Sequence, residues 1–502
     1  MKVLLLAGWL AAGALAAGYR IAGTVVNSAT GQPVGGVRVT VAPVELPQER
    51  LPFVTGQDGR FVFAGMPQGK YELRAERRGF LTGSLSGAVA AGPDQRTDAI
   101  VLPIAPPAVI AGKVTDDIGE PVDQANVQLF SSAIVDGHRR VTLSATKQTA
   151  DNGEYRFGGL PAGTYFLAVA GHPWYNKFNE TQGDTGGRSM THTGYAIQYY
   201  PAAGDPAAAE AIELKAGQEL AADFSLTPLP AVAVRVHVGG SDDSRKQYLL
   251  TAAGPGGNPV VVRQGSEAGD LYNFWGVPPG HYVLEVRGEL YAREPVDIGT
   301  VDMDVNVKPG EPPSLSGAVE IEGGGSLPAG ASVVVSDIDS GSSESAPIGA
   351  GGRFSMRGIP PEHYHVALSH AGDYYLKHWS AEGVAAIQLK LIAAPGAHVS
   401  GTVKRDDQPV GGALVVLANS DDSRATRTGS DGSYDFRGVA PGRYALFALE
   451  TAADLEYANP SVVQPYLESA RKIQLAGGGS YTEPVNLPGA TADRPASASR
   501  EP

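Results

Sequence analysis

Asp58-Gly59-Arg60-Phe61-Val62-Phe63-Ala64-Gly65-Met66-Pro67-Gln68-Gly69-Lys70-Tyr71 is the first of five ungapped copies of one fourteen-residue pattern. The others run from Asn152 to Tyr165, Gly269 to Tyr282, Gly351 to Tyr364 and Asp431 to Tyr444, each closing on an aliphatic residue, a turn and a tyrosine. Self-similarity on this scale marks an array of repeated structural units. Within a copy, Asp58-Gly59, Asn152-Gly153 and Asp431-Gly432 are residue pairs that accept the backbone of a tight hairpin. Phe61 with Phe63, Tyr155 with Phe157 and Tyr434 with Phe436 then alternate as one buried face of a strand. A glycine follows (Gly65, Gly159, Gly276, Gly358, Gly438), predicting a bend or a close backbone approach. Pro67-Gln68-Gly69 and Pro161-Ala162-Gly163 suit a type I turn. Tyr71 and Tyr165 return on the next strand, each with a ring for the core and a hydroxyl that needs a partner. In copy four Glu362 replaces the turn glycine, and in copy five the proline moves one place, to Ala440-Pro441-Gly442.

A second element precedes each copy. Ile21-Ala22-Gly23-Thr24-Val25 leads to Pro33-Val34 and the alternating Val37, Val39 and Val41, and the same plan returns from Ile110, Leu315 and Val399. Such alternation predicts half-buried strands. Repeat three is degenerate, because Val234 stands where the others have glycine.

Composition bounds the rest. The chain has 502 residues, so five repeats leave about 100 residues for each, enough for one core. Its 65 glycines and 37 prolines fit turn-dense β structure. Met1-Lys2, the apolar run from Val3 to Leu15 and the small residues Ala14 and Ala16 read as a signal peptide too short to span a bilayer. With no cysteine, neither disulfides nor a lipoprotein anchor is available, which fits a bacterial envelope protein. A net charge of −14 argues against nucleic acid, whose phosphates require a basic face.

Gly23-x-Val25 with Pro33-Val34, followed by Asp58-Gly59-x-Phe61-x-Phe63 and Pro67-x-Gly69-x-Tyr71, resembles the carboxypeptidase regulatory-like domain. The resemblance is strong in repeats one, two and five, partial in four and weak in three. It implies a seven-stranded transthyretin-like sandwich, similar also to the Cna-B repeats of surface adhesins and to carbohydrate-binding-like folds, in a multi-domain exported bacterial protein. It implies no peptidase, because the likeness is to an accessory domain. The expected fold is all-β, a tandem array of about five immunoglobulin-like or transthyretin-like β-sandwich domains. The expected boundaries are a signal peptide at 1–16, sandwiches at 17–105, 106–228 with an aromatic insertion, 229–311 in degenerate form, 312–394 and 395–488, and a disordered tail at 489–502.

No motif for chemistry stands out. None of the ten histidines has a glutamate three residues on, as a zinc peptidase requires, and His363, His365, His370 and His378 read as strand residues alternating toward solvent. Ser144-Ala145-Thr146-Lys147 has a nucleophile-like spacing but lies in a strand-like stretch. Ser-Asp-Asp-Ser-Arg at 241–245 and 420–424 reads as a solvated acidic loop. Aromatic loops are the binding signal: Trp174, Tyr175, Tyr199 and Tyr200 in the addition to repeat two, and Tyr374, Tyr375 and Trp379 after the tyrosine of copy four. Rings among Asn, Asp and Lys suit sugar, and binding residues favour loops on rigid scaffolds. The same rings also suit capping the open ends of sandwiches or packing between them. The sequence is therefore read as an exported, non-enzymatic binding or interaction protein of the cell envelope. It has no cofactor or metal, and polysaccharide or an envelope protein is its partner. The alternative is a purely structural sandwich spacer or adhesin-like stalk. The expected location is periplasmic, on the outer surface or extracellular, with no membrane span once the signal is removed.

Overall fold

The computed structural model describes residues 18–487 apart from 94, 175–192, 240–244, 338–342, 358–363, 384–385, 420–422 and 451–453. The expected signal peptide and the tail from 489 lie outside the described residues. The chain divides into two compact units, one of Met1–Pro106, Pro409–Gly412 and Thr428–Gly432, the other of Pro107–Gln408, Ala413–Arg427 and Ser433–Pro502.

In the first unit, Tyr19–Asn27 is the middle strand of a three-stranded sheet, antiparallel to Arg60–Met66 and parallel to Ile100–Ile104. Leu51–Val54, Arg38–Pro43 and Gly69–Glu76 form the second sheet, with short strands at its edge. Ile21, Val25, Phe61 and Phe63 from the first sheet meet Val39, Val41, Tyr71 and Leu73 from the second in one core. The alternation read in the sequence supplies these side chains, since every second residue of a strand faces the same way. The second unit repeats the plan. Ala108–Asp116, Val232–Val238, Ser314–Ile321 and Ala397–Arg405 each lie between an antiparallel strand from the fourteen-residue pattern and a parallel last strand.

The fourteen-residue pattern does not form the hairpin its Asp-Gly and Asn-Gly pairs suggest. Leu51–Val54 and Arg60–Met66 belong to different sheets, so the residues between them arch from one layer to the other. The arch closes through Gly59 N to Gly56 O (3.0 Å), Gly153 N to Ala150 O (2.7 Å) and Gly432 N to Gly429 O (2.9 Å). Only the glycine of each pair is left-handed, at φ 70°, 77° and 73°. A buried threonine three residues before each Asp or Asn holds the arch: Thr55 Oγ1 donates to Val34 O, Thr149 Oγ1 to Val122 O and Thr428 Oγ1 to Val410 O.

The later glycine of the pattern makes a bulge. Gly65, Gly159, Gly276 and Gly438 have φ between 60° and 76°. At each, the register against the first strand slips, as between Phe63 opposite Ile21 and Met66 opposite Tyr19. The turn that follows carries the chain into the second sheet, and the tyrosine locks it. Tyr71 Oη donates to Pro67 O (2.8 Å), Tyr165 Oη to Pro161 O (2.9 Å), Tyr282 Oη to Pro278 O (2.9 Å) and Tyr444 Oη to Ala440 O (3.0 Å). In copy five the proline has moved, but the carbonyl four residues before the tyrosine still accepts.

The glycine of the first strand is a steric requirement. A Cβ at Gly23 or Gly317 would overlap the carbonyl oxygen of Ile100 or Leu389 in the parallel last strand, and one at Gly112 or Gly401 that of Ala222 or Glu483, in the break between two short parallel strands. In repeat three, the last strand starts at Met303, opposite Val234, and the Asp302 carboxylate accepts from Ala233 N (2.9 Å). Asp302 there takes the kind of bond that the Thr97 carbonyl takes from Ala22 N in repeat one (2.6 Å), and the parallel pairing runs on from Val234.

Two expectations change. Tyr374, Tyr375 and Trp379 are not in a loop: Tyr374–Glu382 is an edge strand antiparallel to Ala386–Pro395. Repeat five also carries an α-helix, Pro460–Leu467, started by Asn459, whose Oδ1 accepts from Ser461 N, and by Pro460 at its first position.

Tyr165→Phe and Tyr444→Phe are each expected to lower stability by about 1 kcal/mol, because a turn carbonyl loses its donor, measured as a lower urea midpoint of the full chain. Gly112→Val should cost more than about 3 kcal/mol, since both the parallel pairing and the core must shift. Burial raises the phenol pKa of Tyr71, Tyr165 and Tyr282, and that of Tyr199 to about 12. The neutral buried phenols therefore stabilise the fold fully below pH 10 and lose that contribution as pH rises toward 12, where tyrosinate absorbance should appear together with loss of circular dichroism.

Candidate functional site

Among the described members of the aromatic set, Trp174 alone is mostly exposed, at 58%, just beyond the strand Gly163–Ala170. Tyr175 lies outside the described residues. Tyr199 is buried at 2% exposure, its strand pairs with Gly163–Ala170, and its hydroxyl donates to Ala253 O (2.6 Å) in repeat three. Tyr200 is half-buried, edge-on to Phe224 at 6.3 Å over the core of repeat two. Tyr374 and Trp379 pack against the core of repeat four, Trp379 with its ring 5.6 Å from Tyr364, and Tyr375 is half-buried.

Tyr199 belongs to a seam between repeats two and three. Phe130, Ala168, Tyr199 and Val260 form a small buried cluster there. The fully buried Gln128 amide pairs both ways with Val261, donating to its carbonyl (3.1 Å) and accepting from its N–H (3.0 Å). Arg263, 7% exposed, donates to the carbonyls of Gly171 (3.0 Å), Val262 (2.9 Å) and Gly276 (2.7 Å). A buried cation needs this many dipoles in place of water. The sequence signal for the seam is a break in alternation: Val127-Gln128-Leu129-Phe130 and Leu167-Ala168-Val169-Ala170 bury both faces of their strands.

No group of three or more His, Asp or Glu residues able to hold a metal occurs among the described residues. His365, His370 and His378 are exposed, and His363 lies outside the described residues. Ser144 to Lys147 falls within the strand His138–Gln148. Residues 241–244 and 420–422 of the two acidic loops lie outside the described residues. His237 and Asp304 pair across neighbouring strands at 2.8 Å, and that hydrogen bond, with Arg235 nearby, holds the Asp304 carboxyl below its usual range.

A cleft of about 700 Å³ in repeat five escaped the sequence reading. Its floor is the outer face of the second sheet at Ala418 and Ala445, its roof Pro460, Val463 and Leu467 of the helix, and one side Tyr457 and Ala458. Arg443, Lys472 and Gln474 stand along one margin. Leu414-Val415-Val416-Leu417-Ala418, buried throughout, is the legible trace of the helix that covers this face.

Residues 20–102, 109–187 and 398–463, in repeats one, two and five, each match the model of the carboxypeptidase regulatory-like domain. No curated protein sequence matches the chain. Among solved structures, a streptococcal ancillary pilin is 13% identical, covering 59% of this chain and 99% of that one, with a TM-score of 0.18. The minor pilin GBS52 of Streptococcus agalactiae is 13% identical over 42% of this chain and 97% of that one, with a TM-score of 0.22. The shaft pilin SpaA of Lactobacillus rhamnosus GG is 11% identical over 43% of this chain and 99% of that one, with a TM-score of 0.20. Overlap this loose carries nothing over from pilins.

Trp379→Ala is expected to destabilise the full chain by about 3 kcal/mol, seen as a lower melting temperature, because it leaves a void beside Tyr364. Tyr199→Phe should cost about 1–3 kcal/mol by stranding the Ala253 carbonyl in the seam.

Proposed function

We propose that the chain is an exported, non-catalytic, multi-module binding protein of the cell envelope, with carbohydrate recognised on the aromatic addition to repeat two. The observation that carries this reading is that the shared residues of the repeats, where described, are engaged in folding. The tyrosine hydroxyls close turns, the glycines make bulges and clear carbonyls, and the threonines pin arches. Specific recognition then falls to what the repeats do not share, and Trp174 at the start of the addition is an exposed ring of the kind that stacks on sugar.

A spacer or adhesin-like stalk is the second reading. The seam favours it, because the buried Gln128, bonded to Val261, and Arg263, bonded to the Gly171 carbonyl, fix repeats two and three against each other. No helix among the described residues is long and apolar enough to cross a membrane.

Sedimentation with insoluble polysaccharides and a glycan array separate the two readings. The binding reading expects the mature protein to be retained, and retention to be lost on Trp174→Ala with an unchanged melting temperature. Absence of retention on every glycan favours the stalk. For export, the secreted form should begin at Ala17 by terminal mass analysis, and recovery of an intact Met1 would sink that part.

A further inference from the structure

We propose that the cleft in repeat five binds a small amphiphile with a single aliphatic chain and an anionic head, of the fatty-acid class. The inference does not use the aromatic addition, so it stands or falls apart from the glycan reading.

The cleft exists because of two side-chain choices. On the outer face of this sheet, Leu414, Val416 and Phe447 are large and pack under the helix, with Tyr466 stacked on Phe447 at 5.6 Å. Further along the same face stand Ala418 and Ala445, and there the helix has no bulk beneath it. The resulting space lies within the range of about 300–1,000 Å³ typical of small-molecule sites. Its walls are mostly apolar: Ala418, Ala445, Ala458, Val463, Leu467 and the ring of Tyr457. Burial raises the Tyr457 phenol pKa, so the ring stays neutral near neutral pH.

Charge sets the head group. Arg443 pairs in register with Gln474 and Ala445 with Lys472, so Arg443 and Lys472 sit on one face of neighbouring strands, two positions apart. Arg443 Nε donates to the neutral amide oxygen of Gln474 (3.3 Å), and Lys472 Nζ donates to the Leu467 carbonyl at the end of the helix (2.8 Å). Neither cation has a carboxylate within ion-pair distance among the described residues. Both are exposed, as is the neighbouring Arg471, which by contrast pairs with Glu483 at 2.6 Å. An apolar slot edged by two cations with neutral partners complements an aliphatic chain ending in a carboxylate, which can accept charge-assisted hydrogen bonds from both.

Titration calorimetry on the full chain would use dodecanoate, dodecanol and dodecyltrimethylammonium, each below its micellar concentration. Dodecanoate should bind saturably at one site, and dodecanol about tenfold more weakly, the equivalent of one charge-assisted hydrogen bond. The cationic amphiphile should bind no better than dodecanol. Val463→Trp, which fills the slot, should abolish binding. Because Val463 is buried, the exposed pair Arg443→Glu with Lys472→Glu provides an independent variant whose fold the sheet does not depend on. It should reverse the preference toward the cationic amphiphile. Equal affinity for all three probes overturns the proposal, as does dodecanoate binding that survives both variants. Absence of dodecanoate binding, or binding only to anionic phospholipid vesicles, overturns it as well.

Discussion

One hydrogen bond recurs in repeats one, two, three and five: the hydroxyl of the terminal tyrosine to the carbonyl four residues before it. The turn it closes is where the chain leaves one sheet and enters the other, so the bond fixes how the two layers of a sandwich are joined. The ring on the same side chain fills the core between them. Because the acceptor is backbone, the bond tolerates a change of turn sequence, and copy five keeps it with alanine where the other copies have proline. The turn glycine supports this geometry without being left-handed. A Cβ at Gly280 would stand 3.1 Å from the Tyr282 ring, so glycine there gives the tyrosine room to fold back.

A second constraint explains which positions were readable. Parallel pairing of first and last strands brings a carbonyl over the first strand, and only glycine leaves room for it. That glycine is visible in four repeats, and its replacement by Val234 looked like decay of repeat three. In the structure Asp302 accepts from the backbone beside Val234, and the parallel last strand begins opposite Val234 at Met303. The degenerate repeat keeps the same topology by another local solution.

The fold was legible because alternation and turn chemistry are local. Phe61, Phe63 and Tyr71 declare their faces by spacing alone. The arch was misread because an Asp-Gly pair permits a hairpin, and nothing local says that the strands on either side belong to different layers. Tyr199 is ambiguous for a related reason: aromatic rings in an insertion look alike whether they face solvent or a neighbouring repeat. What distinguished it lay elsewhere in the chain, in the unbroken apolar runs beside Gln128 and in Leu167 to Ala170, which must bury both faces. Leu414 to Ala418 carried the same message about the helix in repeat five.

These runs locate where the repeats become different molecules. The inner faces of the second sheets are interchangeable, all filled by valine, leucine and tyrosine. The outer faces are not. In repeat one that face is a lattice of Arg38, Thr40, Glu72, Arg74 and Glu76, with Arg38 and Glu76 paired at 2.5 Å, and water is its natural cover. In repeat two it is apolar and meets repeat three. In repeat five it is apolar under a helix that leaves part of it open. A β-sandwich can vary this face because its core lies on the other side, so where water covers the face a change costs little stability. A tandem array can thus hold one fold constant and give each repeat a separate task, which makes the outer face of the second sheet, more than the repeated motif, the place to look for function in this chain.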